Sequence, residues 1–390
     1  MKLSKYLIVG GGLTADSACK GIRDVDPDGS ITVVGDEAYP PYLRPPLSKD
    51  LWKGKDEKKI WRGTEKYHPH LSLGCRIVAI DLSQRTARDD RGEEYRYEKL
   101  LFATGGRPRR LPFGGDDVVY FRTLDDYRNL REAAQRRAHF CVIGAGFIGS
   151  EIAAALAINH CPVTLVFPQD GIGARIFPKQ ISSALNDYYR NRGVEVLAHT
   201  TVTDVERQGA SMQVTLGDGR ALEVDTVVAG IGIVPNVEVA AAAGLPVTNG
   251  IVVDAYGRAG GREDVFAAGD VAHFPVAALG IETRFEHEDQ AKSHGRCVGK
   301  NMAGAHERYD HLPFFYSDLF DVGYEAVGET DARLETLLDW SSIEAEGTIT
   351  YVDGERRPRG VLLWNRFGHV DAARELIRAG KPVEYAVHVG

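Results

Sequence analysis

Cysteine is sparse in this chain of 390 residues. There are five, Cys19, Cys75, Cys141, Cys161 and Cys297, and no two stand in a CxxC or CxxxxC spacing. That spacing excludes a local redox disulfide and a zinc knuckle, both of which need close pairs. An odd number of scattered thiols fits a reducing compartment. Cys141 within an apolar strand and Cys19 on a predicted helix read as small core residues. No apolar run reaches the ~18 residues of a membrane-spanning helix. Positive charge is also lacking: the formal net charge is −8, against the basic footprint of a nucleic-acid binder. The basic runs Lys53, Lys55, Lys58, Lys59 and Arg107, Arg109, Arg110 read as solvated faces. The chain enters a strand almost at once, leaving no stretch for a signal or transit peptide. A soluble cytoplasmic protein is expected, with no membrane span and no nucleic-acid partner. His68 and His70 form an HxH on a proline-containing loop, but a third ligand is missing and no metal site is expected.

What the chain does have is glycine in two telling places. Tyr6-Leu7-Ile8-Val9 runs into Gly10-Gly11-Gly12-Leu13-Thr14-Ala15, and Phe140-Cys141-Val142-Ile143 runs into Gly144-Ala145-Gly146-Phe147-Ile148-Gly149. Each is a β-branched apolar run, hence a buried parallel strand, opening into an alanine-rich helix. Glycines there let the chain turn tightly and let backbone N–H groups approach a pyrophosphate at a helix N-terminus. One such loop points to a nucleotide; two point to two nucleotides brought face to face, as in flavoenzymes that take hydride from a nicotinamide. The first fingerprint has Ala15 at its third position, a tolerated variant, and Asp36 about 20 residues on, where an acid hydrogen-bonds a ribose hydroxyl. In the second, neutral Gln169 replaces that acid. Asp170 beside it repels a 2′-phosphate while Arg175 attracts one, and NADH is preferred over NADPH.

The segment order gives the fold class: α/β, two Rossmann-like dinucleotide-binding domains with the second inserted into the first, and a small α+β C-terminal domain. Strand, turn and helix occupy 6–23, the next strand 30–34, and a Pro- and Tyr-rich loop 39–46. Further strands are expected at 99–104, 162–167, 225–230 and 265–268. Helices are expected at 124–136, 178–192 and 371–380, with a hairpin around Gly217-Asp218-Gly219. The expected boundaries are 1–112 with 236–312 for the first nucleotide domain, which the resemblance given below makes the FAD domain, 113–235 for the second, the NAD(P)H domain, and 313–390 for the C-terminal interface domain.

Several segments carry a closer resemblance. Pro41-Tyr42-Leu43-Arg44-Pro45-Pro46-Leu47-Ser48-Lys49, Val234-Pro235-Asn236, Ala267-Ala268-Gly269-Asp270, Glu286-His287-Glu288-Asp289-Gln290-Ala291 and Ser317-Asp318-Leu319 resemble the apoptosis-inducing factor family, relatives of the flavin-containing ferredoxin reductases. The match spans nearly the whole chain and lacks the long C-terminal insertion and mitochondrial segments of the animal members. It implies FAD as resident cofactor, its pyrophosphate on Gly10, Gly12, Leu13, Thr14 and Ala15 and its adenosine ribose on Asp36. Ala103, Thr104 and Gly105 would line the same site. Arg44 would reach the phosphates, Arg122 the adenosine end, and Gly269-Asp270 the ribityl chain. Lys49, paired with Glu151, would sit by the flavin ring and stabilise the negative charge that develops there. Glu286 and His287 would flank flavin and nicotinamide, and Tyr316 stands where reductases of the family often have tryptophan. NAD(P)H would lie on Gly144, Gly146, Phe147, Ile148, Gly149, Glu151, Gln169, Arg175 and Gly232, with Phe147 against the nicotinamide.

The expected reaction is hydride transfer from NADH, with NADPH as the alternative, to flavin N5. Its main catalytic contribution is the proximity of donor and acceptor, about 3–3.5 Å apart. Without a cysteine pair, electrons leave directly to a one- or two-electron acceptor such as a quinone or ferredoxin. Two other roles follow from the resemblance. One is a redox sensor whose long-lived reduced-flavin/NAD charge-transfer complex controls homodimer formation and partner binding. The other is the ferredoxin or rubredoxin reductase component of an oxygenase system.

Overall fold

The strand Lys2–Val9 is half solvated at its start and fully buried over Tyr6–Val9, the stretch that carries no charge. Its neighbours explain the change. In the computed structural model, which describes residues 2–387, it lies between Ile31–Gly35 and Glu94–Phe102, parallel to both. His70–Leu73 extends the sheet on one side and Val265–Ala267 on the other, again in parallel. Glu94–Phe102 is shared between two environments. Its first half pairs antiparallel with Thr86–Asp89 of a hairpin whose other strand is Ile77–Asp81, and there it alternates exposed with buried. Its second half, Leu100–Phe102, is covered on both faces and reads as a continuous apolar run, as buried parallel strands do.

These strands belong to the first of two compact units, built from 1–43, 57–107 and 234–313. Its helix Leu13–Arg23 packs on Glu288–Met302 with almost no side chain between them. A Cβ added at Gly299 would lie 2.3 Å from the Ala18 carbonyl oxygen, and one at Gly295 2.6 Å from that of Thr14. Backbone touches backbone, which fixes the fingerprint helix firmly against its neighbour Glu288–Met302.

The second unit comprises 44–56, 108–233 and 314–390. Five parallel strands run in the order Val194–Leu197, Val163–Val166, Phe140–Ile143, Thr226–Ala229, Val118–Val119. A three-stranded meander, Val202–Gln208, Ser211–Leu216 and Ala221–Val224, turns at Gly217–Gly219 as expected and also at Gly209. The last stretch of the chain forms a five-stranded antiparallel sheet, in the order Phe314–Leu319, Val322–Gly328, Pro358–Trp364, Gly347–Val352, Glu335–Asp339, with the helix Val370–Ala379. Tyr324 and Trp364 stack nearly parallel in its core, and Phe177 meets both edge-on.

The helices expected at 124–136 and 178–192 run Leu124–Gln135 and Lys179–Arg190. The Pro-rich loop continues into 3-10 turns at Pro45–Ser48 and Asp50–Lys53. His70 opens a strand, pairing opposite Thr32, and is no part of a loop.

One buried group makes the first unit sensitive to acid. His294 on Glu288–Met302 is fully buried, accepts from the Gln290 amide through Nδ1 at 2.9 Å, stacks on Tyr309, and has no partner for Nε2. Burial pushes its pKa down to about 3. The unfolded chain takes up that proton near the ordinary value of about 6.5, so it binds more protons than the folded chain between those values. Stability therefore falls as pH drops from about 6.5 toward 3. Urea unfolding of His294→Phe at pH 7 and pH 5 should show a weaker loss between the two than the wild type does.

Candidate active site

The two fingerprint helices begin alike. Leu13–Arg23 has Gly12 as N-cap and Phe147–Ile158 has Gly146, both in extended backbone and neither helix with a side-chain cap. The contrast is Leu124–Gln135, where Thr123 and Asp126 form a reciprocal capping box. A helix start without a cap keeps unpaired N–H groups and the positive end of its dipole.

The glycines divide by cause. Gly10 has φ +119° and its Cβ would strike the Ala103 carbonyl oxygen at 2.1 Å; Gly144 has φ +96° and would strike that of Gly230 at 2.6 Å. The fold demands both. Gly12 and Gly146 have ordinary negative φ, and a Cβ on either would meet nothing within 4 Å. Neither backbone strain nor packing within the chain explains a missing side chain there. A group brought close from outside does, and a dinucleotide pyrophosphate on each helix N-terminus has the charge and shape for it. The cradles fit the cofactors that the sequence implies.

Around the first cradle, Gly269 (φ +72°) sits so near the helix that a Cβ would lie 2.1 Å from Thr14 Oγ1. This holds Asp270, part-buried, beside the fingerprint. Asp36 follows the strand Ile31–Gly35 and is exposed, paired with Arg76 at 2.6 Å. Thr104 and Gly105 are clamped by Asn236: Thr104 Oγ1 donates to its carbonyl at 2.8 Å, the Asn236 amide returns a bond to the Thr104 carbonyl at 2.9 Å, and its N–H reaches Gly105. Glu286 is ion-paired with Arg284 at 2.6 Å, and Arg284 also donates to the backbone carbonyls of Asp270 and Asn249. Burial pushes His287 down to about 4, against the pull of Asp270 and Asp289. At neutral pH it is an uncharged imidazole. Leu13 and Ala15 lie in the first turn of the helix itself, with Ala15 buried in its packing face.

The second cradle is in the other unit. A Cβ on Gly149 would fall 1.8 Å from the Gly144 carbonyl oxygen, and one on Gly230 2.6 Å from the Gly149 nitrogen, so strand, turn and helix are in backbone contact. Phe147 is 40% exposed and edge-on to Phe315, with ring centroids 5.1 Å apart. Ile148 follows it in the first turn. Gln169 is half-buried at the end of the second strand, and its carbonyl accepts from the His199 N–H at 3.1 Å; His199 Nδ1 is 3.6 Å from Asp170. Arg175 is exposed, its carbonyl accepting from Ala332. Gly232 adopts φ +94° and its carbonyl accepts from Arg109.

The same unit holds Lys49 and Glu151, both buried and joined at 2.6 Å. The Lys49 ammonium lies 5.2 Å from the centre of the Tyr316 ring. Arg44 donates to the Arg122 carbonyl at 2.9 Å, so these two also stand together.

Sequence reading missed Arg284, Arg76, Asn236 and His199. Asn236 alone had a signal, the Val234-Pro235-Asn236 segment. Arg76 and His199 meet the site across separate segments, as does Arg284 at the Asp270 and Asn249 carbonyls, whereas its partner Glu286 lies only two residues on.

The cysteines are all free thiols. Burial pushes Cys19 and Cys141 up to about 12 and Cys297 up to about 11, with Cys75 and Cys161 also raised. None is poised as a thiolate nucleophile. Among the described residues, no three His, Cys, Asp or Glu side chains are grouped to hold a metal, and no helix is long and apolar enough to cross a membrane.

Two glycine cradles, each at the end of a parallel strand, define a flavoprotein reductase with two dinucleotide-binding domains. Comparison with known proteins agrees. Residues 4–295 match the pyridine nucleotide-disulphide oxidoreductase family, and residues 298–356 match the mitochondrion-associated C-terminal domain of apoptosis-inducing factor. The ferredoxin–NAD(+) reductase component of an anthranilate 1,2-dioxygenase system from Burkholderia cepacia is 34% identical, covering 97% of this chain and 95% of that protein. Mitochondrial apoptosis-inducing factor 1 of Dictyostelium discoideum is 33% identical over 97% of this chain and 79% of its own length. The reductase in a covalent putidaredoxin reductase–putidaredoxin complex superposes with a TM-score of 0.91 at 29% identity, covering 98% of this chain and 94% of that one. The chain belongs to the pyridine nucleotide-disulphide oxidoreductase family. It is an NAD(P)H-dependent flavin oxidoreductase that uses FAD and NAD(H) and passes electrons to an acceptor.

The open glycines separate folding from binding. Gly12→Ala should cost the apoprotein under about 1 kcal/mol, since alanine is only a poorer N-cap, yet weaken FAD binding at least about tenfold, or 1.4 kcal/mol. Gly146→Ala should leave FAD bound and weaken NADH by a similar factor. Flavin absorbance of the purified variants and fluorescence titration with NADH measure the two effects.

Proposed function

We propose that this protein is an NADH-dependent reductase of a small iron–sulfur protein, with no thiol relay between flavin and acceptor. The observation that carries this reading is the buried Lys49–Glu151 pair at the start of the second fingerprint helix, in a chain whose cysteines are all held as buried or raised thiols. A preorganised cation is what a developing anion needs, and a family member without a reactive thiol passes electrons directly.

Each residue then has a task. The N–H groups after Gly12 and Gly146 take the two pyrophosphates. Asp36 takes a ribose hydroxyl, and Asp270, held by Arg284 through its backbone, takes the ribityl chain. Arg44 and Arg122 serve the phosphate and adenosine end of FAD, with Ala103, Thr104 and Gly105 lining the turn that Asn236 fixes. Phe147 offers a flat apolar face to the nicotinamide. Neutral His287, with Glu286 beside it, donates or accepts a hydrogen bond without adding charge. FAD held by these residues would supply a hydride acceptor for the reduced nicotinamide and an electron donor, singly or in pairs, to the next protein. Lys49 is the cation on which the reduced state relies, and Tyr316 packs on it. Gln169 with Asp170 turns away a 2′-phosphate and favours NADH.

The relative from Burkholderia cepacia, matched along nearly its full length, supports a ferredoxin as acceptor. A second reading, a redox sensor that dimerises on reduction, is favoured by the match of residues 298–356 to the apoptosis-inducing factor C-terminal domain. Anaerobic stopped-flow mixing with NADH and a [2Fe–2S] ferredoxin distinguishes them. Rapid bleaching of the flavin followed by fast ferredoxin reduction supports the reductase. A persistent long-wavelength band, slow turnover with every acceptor and a dimer on size-exclusion chromatography support the sensor.

Two variants test the residues. Lys49→Ala should retain FAD and slow its reduction by NADH about 10²–10³-fold, the range for losing one preorganised electrostatic contact; an unchanged rate removes its role. Gln169→Glu should raise the ratio of kcat/KM for NADH over NADPH, because a carboxylate there hydrogen-bonds a free 2′-hydroxyl and repels a phosphate.

A further inference from the structure

Glu151 does more than meet Lys49. Its Oε1 accepts from Lys49 Nζ and from Ser317 Oγ, both at 2.6 Å, and its Oε2 accepts from Ser48 Oγ at 2.5 Å. The four side chains are between 1% and 8% exposed. They arrive from three places: the 3-10 turn Pro45–Ser48 and the residue after it, the second turn of Phe147–Ile158, and the strand Phe314–Leu319. A cavity beside Ser48, Lys49 and Glu151, bounded also by Asp318 and Phe320, is about 10 Å³, room for one water at most. Their burial and mutual hydrogen bonds orient these groups through the protein.

A carboxylate held only by one lysine keeps a broad torsion about its terminal bond, and the ammonium turns with it. Two hydroxyls donating to different oxygens fix the carboxylate plane and so the direction of the lysine N–H bonds. Ser317 is itself rigid, paired in the sheet opposite Tyr324, whose ring stacks on Trp364. We propose that Ser317, with Ser48, is a positioning residue of the redox centre, aiming Lys49 through Glu151, and that the C-terminal sheet thereby sets the charge environment of the reduced flavin. This rests on the role given to Lys49 above.

The test compares FAD-loaded wild type, Ser317→Ala, Ser317→Thr, Ser48→Ala and Lys49→Ala. The readouts are the flavin midpoint potential by spectroelectrochemistry and the anaerobic rate of flavin bleaching by NADH. Ser317→Ala should shift the potential to a more negative value and slow bleaching about tenfold, which matches the lower strength of one hydrogen bond to a charged group. Ser317→Thr, which keeps the hydroxyl, should recover most of both. Ser48→Ala should shift both the same way and serves in place of Ser317→Ala should that variant not fold. Wild-type potential and rate in both serine variants, while Lys49→Ala lowers both, overturn the positioning role and leave that of Lys49 standing. Lowered thermal stability without a change in potential also overturns it. If Lys49→Ala itself changes neither readout, the reading of Lys49 fails and the inference falls with it.

Discussion

A helix start that the chain leaves uncapped is the constraint around which both units are arranged. Orphan N–H groups at a helix end are ordinarily met by a side chain, as Thr123 and Asp126 do for Leu124–Gln135. At Leu13 and Phe147 the chain withholds that side chain and places glycine instead. Much nearby structure keeps these ends in place and open. The strands before them are buried on both faces, the turns run backbone to backbone, and Gly295 and Gly299 let a second helix brace the first. Such an end costs the folded state little, since glycine is only slightly poorer than a side-chain cap, and it leaves the dipole and its donors open to an anion of the right shape.

The strands and helices of the two fingerprints, the helices Leu124–Gln135 and Lys179–Arg190 and the two cradles were legible in the amino-acid order because their signals are local, whereas the helix Glu288–Met302 and the strands between His70 and Asp89 were not read. A β-branched run, a glycine turn and an alanine-rich start occupy a dozen consecutive residues. So was the turn at Gly217–Gly219, fixed by residues that favour positive φ. The supports of the site were not legible, and the reason is physical. Arg284 joins Glu286 to the carbonyls of Asp270 and Asn249, Arg76 meets Asp36, and Ser317 reaches Glu151 across 166 positions. No periodicity announces a single polar contact between distant segments. Buried His294 was invisible for the same reason: Gln290 is one turn away on the same helix, but Tyr309 stacks on it only once the chain folds back.

The family name speaks of disulphides, yet the thiols here have the opposite character. A reactive cysteine needs a lowered pKa and exposure; Cys19 and Cys141 are fully buried and pushed up. Their surroundings are strand and helix core, where a small apolar side chain packs well. The same two-cradle scaffold can thus carry electrons without a thiol, because binding and orienting the cofactors depends on backbone, and only the exit route depends on side-chain chemistry.

The buried Lys49–Glu151 pair argues for a task beyond stability. Withdrawing two charges from water is costly, and apolar side chains of similar volume usually serve a core as well or better. Here the ammonium faces Tyr316, and the carboxylate takes three donors on its two oxygens. That degree of satisfaction answers the desolvation cost, but it does not explain why the charges are there. A cation held in fixed geometry and largely shielded from water acts on an anion brought beside it far more strongly than the same cation in solvent. Such an arrangement is worth its cost to a protein whose reaction creates negative charge, and to few others.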